Sequence, residues 1–555
     1  MNKKKQLLAI AGLIVLLLFL VSCKNYSKST NPHKYLKFEL LEDDTYAVIG
    51  FSNQTVKQLV IPSEHKNKPV SKINDNAFKV EKGIWGGRKS LPIETLDIEE
   101  GVKVIGEYAF YDSGLKDALL ADSIEYIYDN AFYNNDTTIN LPKNIKHVGS
   151  NAFAGTKLSG EINTTGINFE NSALYDTDIT AIIFSSETEL IPEGICGNCD
   201  SLTKVEIPEG IKEIGSNAFS GCVKLNDIDL PKSLKIINSN AFSHSGLEEI
   251  VFKSEITNIG EYAFSSCENL KKVELPESSF TLGDSAFSYC RNLNEVIFGP
   301  SNDTYGLAFL GCPLKDMSVK ADSAYEIVDG CLAIKVKDQY ELVLGYDNCN
   351  AFDKFSKIQG YAFAGRSIEK LDIKNNVTSV ERYAFYFAKI KEANIASEIV
   401  KDYAFKYSSI NLLTISSKSI EKAFDNVYNL EKVIIEEGCE FINRDAFNCC
   451  FELKTVYLPA SLKEIKTAAF IQCHLLTEVY YELNSGTPVR LYAGNFIEYK
   501  SNFINNGKVD VKLNDNFNIY VYEDIYNECV MLWSDMPTDE LYNYHENLVD
   551  FIKVR

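Results

Sequence analysis

Leu202-Thr203-Lys204-Val205-Glu206-Ile207-Pro208-Glu209-Gly210-Ile211-Lys212-Glu213-Ile214-Gly215-Ser216-Asn217-Ala218-Phe219-Ser220-Gly221-Cys222 is the stretch that decides the fold. Val205 and Ile207 share one face by the two-residue period of a strand, and Glu206 points the other way. Pro208 ends the strand, because it has no N–H to give to a ladder. Ile211 and Ile214 turn inward again, and Gly215 supplies a permissive backbone at the next bend. Ala218 and Phe219 plug the interior, with Cys222 as a small apolar filler. The unit then repeats. Leu225, Ile228, Leu230, Pro231, Leu234, Ile237, Ala241 and Phe242 form the next copy. Leu270, Val273, Leu275, Pro276, Leu282, Gly283, Ala286, Phe287 and Cys290 form another. The Ala-Phe pair recurs from Phe78 to Phe470, mostly in steps of 21 to 23 residues, and Ala173-Leu174 and Ile195-Cys196 stand in for it between Phe153 and Phe219. A period of this length means a solenoid, since one unit is too small to bury its own apolar face.

Leu202, Val205 and Ile207 carry the L-x-x-V-x-I spacing of a leucine-rich repeat strand. Stacked units predict an aromatic spine and a parallel β-sheet along one face, with strands about 4.8 Å apart. The Ile207-Pro208 strand end, the Ile214-Gly215 and Ala218-Phe219 block and the following Gly221-Cys222 closely resemble the BspA-like leucine-rich repeat family of bacterial surface proteins, over about residues 35 to 480. The resemblance implies a leucine-rich repeat solenoid, a lipid anchor and an adhesive habit. Glu161 to Leu174, Asn394 to Phe405 and Ser416 to Phe424 depart most from the pattern.

Seven segments are expected. Residues 1–22 read as a lipoprotein signal peptide: Lys3-Lys4-Lys5 is a positive start, Leu7 to Leu20 an apolar core, and Leu20-Val21-Ser22-Cys23 resembles a lipobox, which implies lipidation at Cys23. Residues 23–34 form a polar tether. Residues 35–65 form an N-terminal β-hairpin cap, with Lys37 to Leu40 and Tyr46 to Ile49 alternating around Glu42-Asp43-Asp44-Thr45. A first array spans 66–312, a central hairpin insert 313–360, a second array 361–481 and a C-terminal cap 482–555. The insert reads as a rigid spacer, with a hinge or a ligand-holding element as alternatives. Val509 to Val521 reads as closing strands, and Tyr526 to Trp533 and Asp539 to Ile552 as partly helical.

The chain carries a formal charge of −21. Such a surface repels phosphate backbones and disfavours nucleic acid as a partner. It serves solubility, or recognition of a basic patch. Of the 14 cysteines, Cys222, Cys267, Cys290, Cys312, Cys450 and Cys473 each follow the repeat Phe by three residues, so they read as buried thiols, as do Cys196 and Cys199. Outside that ladder Cys331 with Cys349 is the best candidate for a bridge. None of the six histidines forms an H-E-x-x-H arrangement, and no phosphate loop or G-x-S-x-G elbow is present. No cofactor and no enzymatic activity are expected.

Function in a solenoid lives on the extended sheet face. The outward residue of each strand is Asp97, Leu119, Asn140, Ile183, Glu206, Asp229, Val251, Glu274, Ile297, Ser318, Asp372, Asn394, Thr414, Ile434, Tyr457 and Tyr480 in turn. Ile434, Tyr457 and Tyr480 are candidate ligand contacts, because tyrosine offers a large amphipathic surface at low entropy cost. Cross-strand stacking that merely stabilises the sheet is the alternative. Glu274 and Ile297 on the same column, and Trp85 in the enlarged interval between Phe78 and Phe110, complete the candidate set. The expected protein sits in a bacterial cell envelope, more on the outer surface than in the periplasm. It contacts the membrane only through its lipid anchor and binds other proteins, such as host extracellular matrix or serum proteins. An envelope scaffold without a host ligand, and more remotely a glycan-acting enzyme, are the rival readings.

Overall fold

The computed structural model describes residues 34–52, 56–80, 93–253, 255–300, 305–321, 323–350, 352–466 and 468–481, and beyond these only short strands at 490–491, 498–499, 511–512, 518–521 and 552–554. Two compact units divide at Val148 and Gly149. The fold is a leucine-rich repeat β-solenoid, built almost entirely of short parallel strands, with a single four-residue α-helix, Tyr305–Ala308, among the described residues.

The first unit opens with the antiparallel hairpin Leu36–Leu40 and Tyr46–Phe51. Asp43 closes its turn, accepting from the Thr45 N–H at 3.1 Å. Tyr46–Phe51 then runs parallel to Lys68–Ile73, which leads a ladder of two-residue strands at Val104–Ile105, Tyr126–Ile127 and His147–Val148. The front sheet begins at Gln58–Ile61, paired in register with Thr95–Ile98. It therefore starts inside the stretch expected to be cap alone. Leu59, Ile61 and Pro62 reproduce the strand and its proline, but the Ala-Phe pair that marks a repeat does not arrive until Phe78.

In the second unit the front strands fall into three parallel groups. Ser159–Asn163, Asp178–Ile183 and Lys204–Glu206 form one. Glu249–Val251, Lys272–Glu274, Glu295–Phe298 and Asp316–Val319 form the next. Ser367–Ile373, Lys389–Ile395, Ser409–Ile415, Lys432–Ile435, Thr455–Leu458 and Glu478–Tyr481 form the third, continued by Asn518–Val521 and Ile552–Val554. The coil holding Leu225 and Leu230 buries both side chains without forming a strand, so Asp229 lies off the sheet. Asn226, Asp227 and Asp229 are poor strand formers, and they separate the first two groups. Tyr526 to Trp533 and most of Asp539 to Ile552 lie outside the described residues.

Three features hold successive coils together. Phenylalanine rings stack within the first unit at 5.1 and 5.2 Å (Phe78, Phe110, Phe132). In the second they run from Phe219 to Phe309 and again from Phe363 to Phe470, with centroids 4.6 to 5.3 Å apart. Each ring is almost fully excluded from water, worth about 2–3 kcal/mol of transfer free energy. Secondly, the Phe N–H donates to the carbonyl of the next coil's alanine, as Phe219 does to Ala241 at 2.8 Å and Phe385 to Ala404 at 2.8 Å. Thirdly, the ladder thiols donate to carbonyls one coil back: Cys222 to Cys196 at 3.1 Å, Cys267 to Phe242 at 3.1 Å, Cys290 to Phe264 at 3.1 Å and Cys312 to Phe287 at 3.0 Å. They fill space and also satisfy a buried acceptor.

Residues 313–360 hold an antiparallel meander, Tyr325–Val328, Cys331–Val336 and Gln339–Leu344. Its last strand runs parallel to Phe355–Ile358, which leads the short-strand ladder of the second array. The two arrays touch directly behind it. Gly311 N–H reaches the Ala364 carbonyl at 3.4 Å. Arg366 takes the ladder position that cysteine holds in Cys312, three residues after the phenylalanine. Fully buried, it donates to the carbonyls of Gly345 and Phe309, both at 3.0 Å.

Candidate binding surface

The front face differs between the arrays. In the first, whose sheet continues past 312 into the strand Asp316–Val319, Glu249, Lys272, Glu295 and Asp316 occupy one register line and Val251, Glu274, Ile297 and Ser318 the next. Lys272 Nζ lies 3.5 Å from Glu249 and 3.3 Å from Glu295. Lys320, whose side chain is only 12% exposed, holds Glu274 at 3.1 Å. Glu274 is thus engaged inside the sheet face, with half-buried Ile297 beside it. Exposed pairs of this kind are screened by water and salt and add little to stability. In the first unit Asp97 registers with the exposed Leu119, and burial pushes the Asp97 carboxyl above its ordinary range.

In the second array the corresponding line runs from polar residues to aromatic ones. Asp372, Asn394, Thr414, Ile434, Tyr457 and Tyr480 are consecutive register partners. Asn394 donates to Asp372 at 3.0 Å, so the polar end of the line is internally satisfied. At the other end the Tyr457 and Tyr480 rings stack with centroids 4.7 Å apart and planes 14° from parallel. Lys432 Nζ stands 4.5 Å from the Tyr457 centroid. The Tyr480 hydroxyl donates to Glu478 at 3.2 Å. Ile434, Tyr457 and Tyr480 are all half-buried. The result is a strip of one isoleucine and two rings, bordered by one cation and one carboxylate. Stacking contributes about 1 kcal/mol and the cation over the ring about 0.5–1 kcal/mol. Trp85 and Cys23 lie outside the described residues.

A second aromatic surface was not read from the strand column. Tyr361, Tyr383 and Tyr403 each precede an Ala-Phe pair and stack at 5.3 and 5.8 Å. Phe387, Tyr407 and Tyr428 continue beside them at 5.3 and 6.3 Å. The Arg382 guanidinium lies 4.8 Å and Lys406 Nζ 4.6 Å from the Tyr403 centroid. The recurrence of tyrosine at the residue before Ala-Phe was the available signal. Lys406 also meets the buried Asp425 at 3.1 Å, so this cation is paired. Among the described residues, no group of three or more His, Cys, Asp or Glu side chains is arranged to hold a metal ion, and no helix is long and apolar enough to cross a membrane.

The sequence profile of the BspA type leucine rich repeat region, six copies long, matches residues 88–200, 189–315 and 356–477, well over half of the chain. The chain belongs to the BspA type leucine-rich repeat family. Its matched segments cover both arrays, including the strands of Ile434, Tyr457 and part of the Glu478–Tyr481 strand's coil. Among solved structures, the chain is similar to a leucine-rich repeat protein from Bacteroides ovatus ATCC 8483, at 18% identity over 84% of this chain and 99% of that one, with a TM-score of 0.45. It is also similar to a leucine rich cell surface protein from Faecalibacterium prausnitzii A2-165, at 20% identity over 83% and 95%, TM-score 0.25. A third is the pneumococcal vaccine antigen PcpA, at 16% identity over 90% and 94%, TM-score 0.24. No curated protein sequence matches the chain.

Proposed function

We propose that this BspA-type protein is anchored in a bacterial cell envelope through Cys23 and binds another protein with the front face of its second array, as an adhesin for host extracellular matrix or serum proteins. The observation that carries the reading is the strip of Ile434, Tyr457 and Tyr480. It is the place where the front column changes from self-paired charge to half-buried aromatic surface. Aromatic residues dominate the energetics of protein interfaces when a partner excludes water from around them. Lys432 and Glu478 at its border supply charge of both signs for orientation. The anchor rests on the Lys3-Lys4-Lys5 start, the apolar run to Leu20 and the Leu20-Val21-Ser22-Cys23 end.

The test is retention of the lipid-free chain, from Lys24 onward, on immobilised matrix and serum proteins, with and without Tyr457→Ser plus Tyr480→Ser. Loss of at least tenfold in retention supports the strip. Unchanged retention dismisses it. Protease treatment of intact cells separates the adhesin from an envelope scaffold: a protected solenoid eliminates the adhesin.

A further inference from the structure

We propose that Cys331 and Cys349 are a disulfide-forming pair that ties the central meander to the loop leading into the second array when the chain folds in an oxidising compartment. Their sulfurs lie 3.1 Å apart. Cys331 begins the strand Cys331–Val336, and Cys349 follows the strand Gln339–Leu344, in the loop that enters the second array. Both are fully buried, in one apolar cluster with Phe352, Phe355 and Phe363. A disulfide needs a sulfur separation of about 2.0 Å, so the two atoms have roughly 1 Å to close.

The ladder cysteines also neighbour one another, as Cys290 does Cys267 and Cys312, but they differ in their hydrogen bonds. The ladder thiols at Cys222, Cys267, Cys290 and Cys312 give their protons to carbonyl oxygens of the preceding coil at 3.0 to 3.1 Å. Oxidising them would strip a donor from those buried acceptors. Cys331 and Cys349 meet sulfur to sulfur at 3.1 Å. The neighbouring Cys349 sulfur, and then burial, hold the Cys331 thiol well above its ordinary range. Burial also pushes the adjacent Tyr346 hydroxyl up to about 12. Both sulfurs are shut off from water in the folded chain, so oxidation belongs to folding, before the cluster closes.

The oxidant is an external disulfide. One cysteine thiolate attacks it, forming a mixed disulfide and releasing one thiol. The second cysteine then displaces the remaining thiol and forms the Cys331–Cys349 bond. The protein loses two hydrogens, and the external disulfide becomes two thiols.

The full chain is refolded in a mixture of oxidised and reduced glutathione, blocked with N-ethylmaleimide in denaturant, digested with trypsin and mapped by mass. Cys331 and Cys349 fall in separate peptides, 321–335 and 338–354. The expected result is one joined species of these two peptides, lighter than their sum by two hydrogens and split by dithiothreitol. The ladder cysteines should appear blocked. Recovery of both peptides singly blocked overturns the proposal, and so does a bridge that links either cysteine to a ladder position. Because the map uses the unmutated chain, it does not depend on how a variant folds.

Discussion

Asn217 shows how one residue serves the fold. It precedes Ala218-Phe219 with a φ of 57°, and Asn130, Asn151 and Asn240 repeat it at 55, 56 and 57°. Asparagine tolerates this left-handed backbone better than other side chains do, and glycine better still. Asn217→Gly should leave stability within about 0.5 kcal/mol, whereas Asn217→Ala should cost about 1 kcal/mol, read by chemical denaturation. Tyr361, Tyr383 and Tyr403 hold the same conformation at 61 to 62°, where bulky side chains are rare, and their mutual stacking offsets the strain. A second residue, Glu209, ties two coils through their turns. Its carboxylate accepts from the backbone N–H of Lys232 at 3.0 Å and of Ser233 at 3.1 Å. These donors, that of Lys232 foremost, hold its pKa below the usual range. A carboxyl depressed in the folded state stabilises the fold above its unfolded value of about 4.3 and loses that contribution as pH falls through the lower folded value. The thermal midpoint should therefore drop between about pH 5 and pH 3, and the gap between the protein and Glu209→Gln should close over the same window.

The coil is the next scale, and its stability is shared with two neighbours. Phe385 lies 5.0 Å from Phe363 and 4.6 Å from Phe405. Phe385→Ala removes both contacts and leaves a cavity that packed coils cannot collapse, so calorimetry should show a loss of about 4 kcal/mol. Most of this element was legible beforehand. The Val and Ile columns, the proline after the strand and the Ala-Phe pair each have one physical role per repeat, so recurrence amplified the signal. The exceptions also have physical reasons. Asn226 to Leu230 keep the apolar spacing but lack strand propensity, which a spacing rule does not register. Gln58–Ile61 joins the sheet because Leu59 and Ile61 match Leu96 and Ile98, although no Ala-Phe follows until Phe78. Arg366 stands in a position that reads as a small apolar filler. At the junction of the arrays the carbonyls of Gly345 and Phe309 accept from its Nε and Nη1, while the buried Nη2 finds no acceptor among the described residues.

At the scale of the molecule, the formal charge of −21 and the self-paired ladder around Lys272 make most of the first array's front face solvent-compatible. The aromatic strip of the second array stands apart from that background. The register lines on which it depends could be written from the sequence. That Glu274 is taken up by Lys320 could not, because the lysine sits 46 positions away on a strand end. Tyr457→Ser with Tyr480→Ser should cost only about 1–2 kcal/mol, since the stack, the Lys432 contact and the bond to Glu478 are lost at a half-buried surface. Thermal denaturation then separates a lost interface from a lost fold.

Residues one repeat apart in sequence are neighbours on one face of the second array. Pulsed dipolar spectroscopy between spin-labelled amino acids at Asp372 and Asn394, Thr414, Ile434 or Tyr457 measures this directly. These positions are one, two, three and four register steps from Asp372. Separations should grow by about 4.8 Å per step, once the label length is allowed for. Distances that fail to increase with repeat number would contradict in-register stacking, and the binding face built on it.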